Sequence, residues 1–340
     1  MTRTILFVLT GVAFILFNAC KNDPKPQTAA DPAEQLDPEL AGLNQLLEKD
    51  PGNDSLLYHR AAVYFNLEGY DEALKDLGNA IRLDSLQPRY YHLTAEVLLE
   101  YGRPNDSRRA LDVLLVAARL FPEHTPTLLL LSKYQLIVQQ HGDALGTIDR
   151  ILRREPQNPP AYFMAGRVAL DMKDTLRAIN MLKKSVQFDA GNGEAWQFLG
   201  RIYSNQNNPL AVQCFDNALR IDSTDLESRE YKAVFYKKRG DFDKAFAVYR
   251  DIIVRNPDYS NAYFDIGMIY LELDSMQKAY DHFNISIKTD PLFVMAYYYR
   301  GLTAELMGNR EAALADYQQA NKMSPDYPEA KEALERLGKQ

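Results

Sequence analysis

The sequence lacks a surplus of positive charge. Its 39 lysines and arginines are outnumbered by 46 aspartates and glutamates, which gives a formal net charge of −7. Binding to nucleic acid draws on a surplus of cations that neutralise phosphates, so this composition argues against a general nucleic-acid binder. A local basic patch is still compatible with it.

Motifs for catalysis and metal binding are also missing. The five histidines are scattered, with no pair at metal-ligand spacing and no carboxylate motif around them. No serine stands in a nucleophile elbow, and the run Gly191-Asn192-Gly193 indicates a turn between helices rather than a phosphate-binding loop. The sequence therefore predicts no enzyme activity, no cofactor and no metal site.

Long apolar runs are absent beyond the first 20 residues. Arg3 precedes the apolar run 5–17, which is short for a membrane span and has the charged start and apolar middle of a secretory signal. The run ends in Phe17-Asn18-Ala19-Cys20, which resembles the lipobox of bacterial lipoproteins, with Phe17 in place of the usual leucine. The resemblance implies cleavage after residue 19 and a diacylglyceryl group on the Cys20 thiol. The alternative is an ordinary cleaved signal with a chance cysteine.

The segment 20–37 is predicted to be a flexible tether. It carries three prolines among polar residues and alanines, and it has almost nothing apolar to bury. Lys21-Asn22-Asp23 resembles the short charged export signals of surface lipoproteins, so we expect an outer-membrane protein that faces the periplasm or the surface. If Cys20 carries lipid, Cys214 has no partner for an internal disulfide and is expected to be a small residue on a helix.

A repeat fills the rest of the chain. Eight alanines recur at spacings of 37, 34, 34, 33, 34, 34 and 34 residues: Ala73, Ala110, Ala144, Ala178, Ala211, Ala245, Ala279 and Ala313. Twelve residues before most of them stands another small residue, and four residues after each stands a large apolar one. Such offsets place the residues on single helix faces, with small residues where two helices of a hairpin approach closely.

Turn residues separate the predicted helices. Gly240-Asp241 is typical of the turn inside a unit, and Asn256-Pro257 of the boundary between units, where proline stops the second helix. No strand-like alternation bounded by turn signals appears, so the sequence predicts an all-helical array.

The fifth unit shows which family the repeat resembles. It carries an aromatic, a Leu-Gly pair and a tyrosine in its first helix, followed by an alanine, an aromatic and an alanine in its second: Trp196, Leu199-Gly200, Tyr203, Ala211, Phe215 and Ala218. This pattern resembles the tetratricopeptide repeat (TPR) family, and it covers 54–327 as eight repeats. The resemblance implies an all-α, right-handed superhelical α-solenoid, with capping helices at 38–53 and 328–340.

The resemblance also implies where partners bind. In TPR proteins the first helices line a concave groove, and residues one, five and eight places after the packing aromatic point into it. Among the residues so placed, a basic track with aromatic and apolar neighbours is the candidate binding site: Lys133, Phe163, Arg167, Arg201, Lys237, Phe264, Met268 and Tyr298, with Lys238 just beyond. Such a track suits an extended segment with carboxylates and a few apolar anchors. Alternatively, the cations only pair with neighbours such as Asp171, Glu194 or Glu230.

The sequence thus predicts a non-enzymatic scaffold of the bacterial cell envelope that is anchored by lipid and binds proteins or extended peptides, including acidic ones, in its groove. A receptor for a small ligand or a glycan is one alternative. A substrate-presenting subunit of an enzyme complex is the other.

Overall fold

The computed structural model describes residues 37–338, which consist of helices joined by short turns and contain no β-strand. The chain divides between Ser85 and Leu86 into two compact units. The predicted signal peptide 1–19, the lipidation site Cys20 and almost all of the tether lie outside the described residues.

The first unit contains three helices, α1 (Pro38–Lys49), α2 (Asp54–Asn66) and α3 (Tyr70–Leu83). Helices α2 and α3 form a hairpin, and α1 packs against α2. The Asp37 side chain caps α1 by accepting hydrogen bonds from the Glu39 and Leu40 backbone N–H groups at 2.8 and 3.2 Å.

The second unit continues the pattern with seven hairpins and a last helix. Its helices are α4 (Pro88–Tyr101), α5 (Asp106–Leu120), α6 (Thr125–Ile137), α7 (His141–Arg154), α8 (Pro159–Asp171), α9 (Thr175–Phe188), α10 (Gly193–Asn205), α11 (Leu210–Ile221), α12 (Leu226–Lys238), α13 (Phe242–Arg255), α14 (Ser260–Glu272), α15 (Met276–Thr289), α16 (Val294–Leu306), α17 (Arg310–Met323) and α18 (Pro328–Gly338). Each even-numbered helix from α4 to α16 pairs with the next, and α18 packs against α17. The predicted all-α array of eight hairpins with a helix at each end is confirmed.

The periodic small residues are the points of closest packing. All eight alanines of the repeat are 0% exposed. At Gly200 a methyl group would lie 2.5 Å from Cε1 of the Phe215 ring in the facing helix, so only glycine permits this approach of α10 to α11. The spacing seen in the sequence is therefore the spacing of helix contacts.

The turns inside the hairpins share one hydrogen-bond pattern. In the sixth hairpin, Gly240 adopts a left-handed φ of 73°, and the next N–H, of Asp241, donates to the Tyr236 carbonyl at 3.0 Å. This bond satisfies a carbonyl at the end of the first helix. The same bond, from a backbone N–H to the carbonyl five residues earlier, recurs with the donors Gly69, Gln140, Asp174, Asn208, Ser275 and Asn309.

The second hairpin differs because four residues separate its two helices, against three in most of the other hairpins. Gly102 and Asn105 both adopt left-handed φ values, of 65° and 73°. Asp106, 1% exposed, holds this turn by accepting hydrogen bonds from the Arg103 N–H at 3.2 Å and the Arg109 guanidinium at 2.7 Å.

Candidate functional site

The first helices of neighbouring hairpins approach each other. In the second unit, α4 contacts α6, α6 contacts α8 and α10 contacts α12, in addition to the contacts between helices adjacent in sequence. First helices therefore share one face of the stack, as the TPR resemblance implies. Four of them carry the predicted cations: Lys133 on α6, Arg167 on α8, Arg201 on α10, and Lys237 and Lys238 on α12.

Two adjoining cavities lie on this face. One has a volume of about 530 Å³ and is lined by Arg167, Arg201 and Phe198. The other, of about 440 Å³, shares Arg201 with the first and adds Tyr231 and Lys238. We call the two cavities together the central groove; it brings three of the predicted cations into one continuous surface.

Aromatic rings hold the two arginines of the central groove. The Arg167 guanidinium carbon lies 5.9 Å from the Phe163 ring centroid and 6.0 Å from that of Phe198. The Arg201 guanidinium carbon lies 5.5 Å from the Phe198 centroid and 5.0 Å from that of Tyr231. Each such contact stabilises the stacked position by about 0.5–1 kcal/mol at an exposed site, and it leaves the charge available.

Phe198 and Tyr231 were not among the predicted site residues. Phe198 stands three residues before Arg201, a spacing that places both side chains on one helix face. That spacing was readable in the sequence. The contact of Arg201 with Tyr231 of the next first helix depends on how two hairpins stack, and the sequence does not show it.

The cations differ in how far their charges are neutralised. Within residues 37–338, Lys133, Arg167 and Lys238 form no ion pair with a carboxylate. Arg201 lies 3.7 Å from Glu227, with 41% and 53% of the two side chains exposed, so this pair is weak. These four cations remain able to bind a partner's carboxylate.

Lys237 is committed to an internal ion pair. Its ammonium binds the Asp265 carboxylate, and the two side chains are only 20% and 15% exposed. The Tyr249 hydroxyl donates to the other oxygen of that carboxylate at 3.0 Å. Burial and Asp265 raise the pKa of Tyr249, so the phenol stays a neutral donor. Lys237 therefore belongs to the packing between hairpins rather than to a free basic track.

The carboxylates named as alternative partners of the cations have other roles. Asp171 binds the His141 ring. Glu230 accepts a hydrogen bond from the Tyr259 hydroxyl at 2.7 Å. The simple alternative, in which neighbours neutralise every cation, therefore holds for Lys237 and in part for Arg201, but not for Arg167.

The predicted aromatic anchors lie mostly inside the stack. Phe163 and Phe264 are both 8% exposed. The Phe264 ring packs against Phe293 and Tyr299, with centroids 5.0 and 5.5 Å away. We expected these rings to border the track as contact surface. Instead they fill the space between neighbouring hairpins, and the Phe163 ring contacts the Arg167 guanidinium.

The remaining two predicted anchors belong to the C-terminal hairpins. Met268 is half-buried and packs against the cluster around Phe264. The Tyr298 ring lies 5.6 Å from Tyr317 and 5.4 Å from Tyr327, centroid to centroid. Neither residue lines the central groove, so the predicted site is not one continuous surface from Lys133 to Tyr298.

Residues 37–338 contain no group of three or more histidine, cysteine or acidic side chains placed to hold a metal ion. No helix in the same range combines the length and apolar character needed to cross a membrane.

A stack of helical hairpins whose first helices share one face defines an α-solenoid repeat protein. Models of the tetratricopeptide repeat match residues 159–192, 232–292 and 296–327. These matches fall on the fourth, sixth, seventh and eighth hairpins. The chain is a tetratricopeptide repeat protein.

Three curated proteins illustrate what this chain is similar to. DnaJ homolog subfamily C member 7 homolog of Dictyostelium discoideum is 22% identical over 83% of this chain and 58% of its own length. The BBSome complex member BBS4 of Bos taurus is 29% identical over 46% of this chain and 32% of its own length. Mitochondrial import receptor subunit TOM70 of Homo sapiens is 24% identical over 54% of this chain and 31% of its own length. The chain thus spans between about a third and three-fifths of these relatives.

Two solved structures also show similarity to this chain. A tetratricopeptide repeat protein from Parabacteroides merdae is 20% identical, with a TM-score of 0.49 over 74% of this chain and 99% of its own. The crystal structure of MamA protein is 24% identical, with a TM-score of 0.44 over 50% of this chain and 93% of its own.

Proposed function

We propose that this protein is a non-enzymatic scaffold that binds an extended, acidic segment of a partner protein in the central groove. The observation that supports this most directly is the stacking of Arg167 and Arg201 against aromatic rings in adjoining cavities. The ring contacts restrain each guanidinium while its N–H groups can still bind both oxygens of a carboxylate. An arginine already in place loses less side-chain entropy when the partner binds.

Acidic residues at the edges restrict what the groove accepts. Asp171 lines the first cavity, and Glu227 and Glu230 line the second. They disfavour a polyanion with a continuous backbone charge, such as nucleic acid, by like-charge repulsion. A peptide with carboxylates spaced to meet Arg167 and Arg201 avoids these positions.

The test is the joint replacement of Arg167, Arg201 and Lys238, the three cations that line the central groove, by glutamine. A partner is first captured from native envelope and identified by mass spectrometry, and its affinity is then measured at low and high salt. We expect binding to weaken at least about tenfold and to lose most of its salt dependence, since charge-assisted hydrogen bonds contribute about 1.5–3 kcal/mol each when shielded.

A matched control removes three cations from second helices. Replacing Arg220, Lys288 and Lys322 by glutamine changes the net charge equally, and all three residues are exposed outside the central groove. This control should bind as wild type does. If the groove variant binds the partner as tightly as wild type does and has an unchanged circular dichroism spectrum, recognition occurs elsewhere.

We further propose that lipid on Cys20 anchors the protein to the outer membrane of the bacterial envelope. The signal-like segment before Cys20 supports this. Cys20→Ser should leave the helical repeats folded and release the protein into the soluble fraction. If the serine variant still sediments with membranes after a salt wash, another attachment is responsible.

A further inference from the structure

A third cavity lies outside the central groove. It has a volume of about 530 Å³ and opens between the second helices α9 and α11, over the first helix α10. Trp196, Leu199 and Tyr203 of α10 line it, together with Val186 of α9 and Cys214 of α11. We call it the lateral pocket.

The first and eighth repeats carry a polar triad at the equivalent position. In the eighth repeat, Arg300 precedes the small residue Gly301 and binds Asp316 of the second helix through both carboxylate oxygens, at 2.8 and 2.6 Å. A third N–H of Arg300 donates to Asn284 of the preceding hairpin at 2.7 Å. The guanidinium thus occupies the space between two successive second helices.

The same triad occurs at the start of the array. Arg60 binds both oxygens of Asp76 at 2.6 and 2.8 Å and donates to Asn44 of α1 at 2.7 Å. The chain therefore builds this arrangement twice, once in each unit, from residues at matching repeat positions.

The fifth repeat replaces all three members of the triad. Leu199 precedes Gly200 as Arg300 precedes Gly301, and Lys183 stands 16 residues before Leu199, the separation of Asn284 from Arg300. Cys214 precedes Phe215 at the position of Asp316. Leucine and cysteine make this part of the lining apolar, whereas the equivalent cavity of the first repeat, of about 410 Å³, is lined by Arg60, Asn44 and Glu48.

The charge around the lateral pocket has one sign. Lys183 is the only charged residue in its lining, and it forms no ion pair within residues 37–338. The other polar side chains are three amides, Gln187, Gln213 and Asn217. A ligand with one anionic group would therefore meet an available cation and no opposing carboxylate.

The floor of the pocket is apolar. Leu199, Tyr203 and Cys214 are 1%, 7% and 4% exposed. Burial raises the pKa of the Cys214 thiol to about 11, although Lys183 opposes this shift, so the thiol is neutral. The Trp196 indole N–H already donates to the Ala190 carbonyl at 3.0 Å, which leaves the ring face and edge as apolar surface.

We propose that the lateral pocket binds a small amphipathic carboxylate, with its apolar body against Trp196 and Leu199 and its carboxylate at Lys183. The volume lies in the range of about 300–1,000 Å³ that ligand sites occupy, and an apolar lining with a few polar groups at one side is typical of them. The proposal is independent of partner binding in the central groove, because the two sites share no lining residue.

Trp196 makes the test direct, because it is the only tryptophan in the sequence. The full-length chain is titrated with octanoate while indole fluorescence is recorded. We expect a saturable change for octanoate and a weaker response to butanoate, which has less apolar surface to bury. Octanol should bind less tightly than octanoate, since it lacks the charge that pairs with Lys183.

Two variants separate the contribution of the Lys183 charge to octanoate binding from that of the apolar lining. Lys183→Gln should weaken octanoate binding about threefold to fivefold and leave octanol binding unchanged, since an exposed ion pair contributes up to about 1 kcal/mol. The triple variant Lys183→Asn, Leu199→Arg, Cys214→Asp copies the triad of the eighth repeat into the fifth. It should fold, replace the apolar floor and the Lys183 ammonium by polar groups that bind one another, and weaken octanoate binding more than about tenfold.

A control variant excludes the central groove as the octanoate site. Arg167→Gln with Arg201→Gln should bind octanoate as wild type does. The proposal is overturned if wild type shows no saturable response, if the folded triad variant binds octanoate unchanged, or if the groove variant loses binding. Equal loss of octanoate and octanol in Lys183→Gln would overturn the assignment of the carboxylate to Lys183.

Discussion

Replacement of Gly200 by alanine tests the close packing of the hairpins. The added methyl carbon would lie 2.5 Å from Cε1, 2.7 Å from Cδ1 and 3.0 Å from Cζ of the Phe215 ring. Phe215 is 0% exposed, so its ring has no free space to move into. Relief of the contact requires a shift of the ring or of helix α11.

Two opposing effects of the methyl group set the change in the free energy of unfolding. Alanine stabilises a helix interior over glycine by up to about 1 kcal/mol. Overpacking in a filled core costs about 1–3 kcal/mol. Gly146 lies inside helix α7 with nothing within 4 Å of a built methyl carbon, so Gly146→Ala isolates the favourable term. The difference between the two variants should therefore be about 1–3 kcal/mol, with Gly146→Ala the more stable.

The assay is urea denaturation followed by circular dichroism and by the fluorescence of Trp196, which lies in the same helix as Gly200. In repeat arrays stability is built from local terms, so the Trp196 signal should move to lower urea in Gly200→Ala more than the whole-chain helical signal does. Equal midpoints for Gly200→Ala and Gly146→Ala would refute the view that α10 and α11 are packed to the limit that glycine allows.

Three further predictions concern single side chains. Asp316→Asn leaves the Arg300 guanidinium, 17% exposed, without its ionic partner and should lower the free energy of unfolding by about 3 kcal/mol in urea denaturation; no change would contradict it. Burial and His124 lower the pKa of His92, so its contribution to stability is present above the usual value of about 6.5 and is lost as pH falls through the lower folded-state value. His92→Gln should flatten this dependence of the urea midpoint on pH. Cys214 should react with iodoacetamide more than about tenfold more slowly in the native chain than in the denatured one, as followed by mass spectrometry, because burial raises the pKa of its thiol to about 11.

The helices and their pairing were predictable from the sequence because the signals are local. The alanines recur at nearly constant spacing, and each is fully buried at a helix contact in the structure. A small residue is needed wherever two helices of a hairpin approach, and this need repeats once per unit. The positions of Arg167 and Arg201 on one face followed from the same period, since equivalent positions in equivalent hairpins face the same way.

Which side chains remain available to a partner was decided only by the tertiary structure. Lys237 and Arg201 stand on successive first helices and were both predicted to contribute to the basic track, yet Lys237 is neutralised by Asp265 of the next hairpin while Arg201 stacks on Tyr231. Phe264 is hidden by Phe283 of α15, Phe293 in the turn before α16 and Tyr299 of α16. Such outcomes depend on contacts between hairpins, which the repeat period does not specify.

The lateral pocket shows both contributions together. The sequence by itself determined that Leu199 and Cys214 occupy the repeat positions held by Arg300 and Asp316. Only the tertiary structure showed that these residues form the apolar floor of a cavity of about 530 Å³ between two second helices, beside Lys183. The physical reason is that a cavity is a property of several packed helices at once, whereas a repeat position is a property of one chain segment.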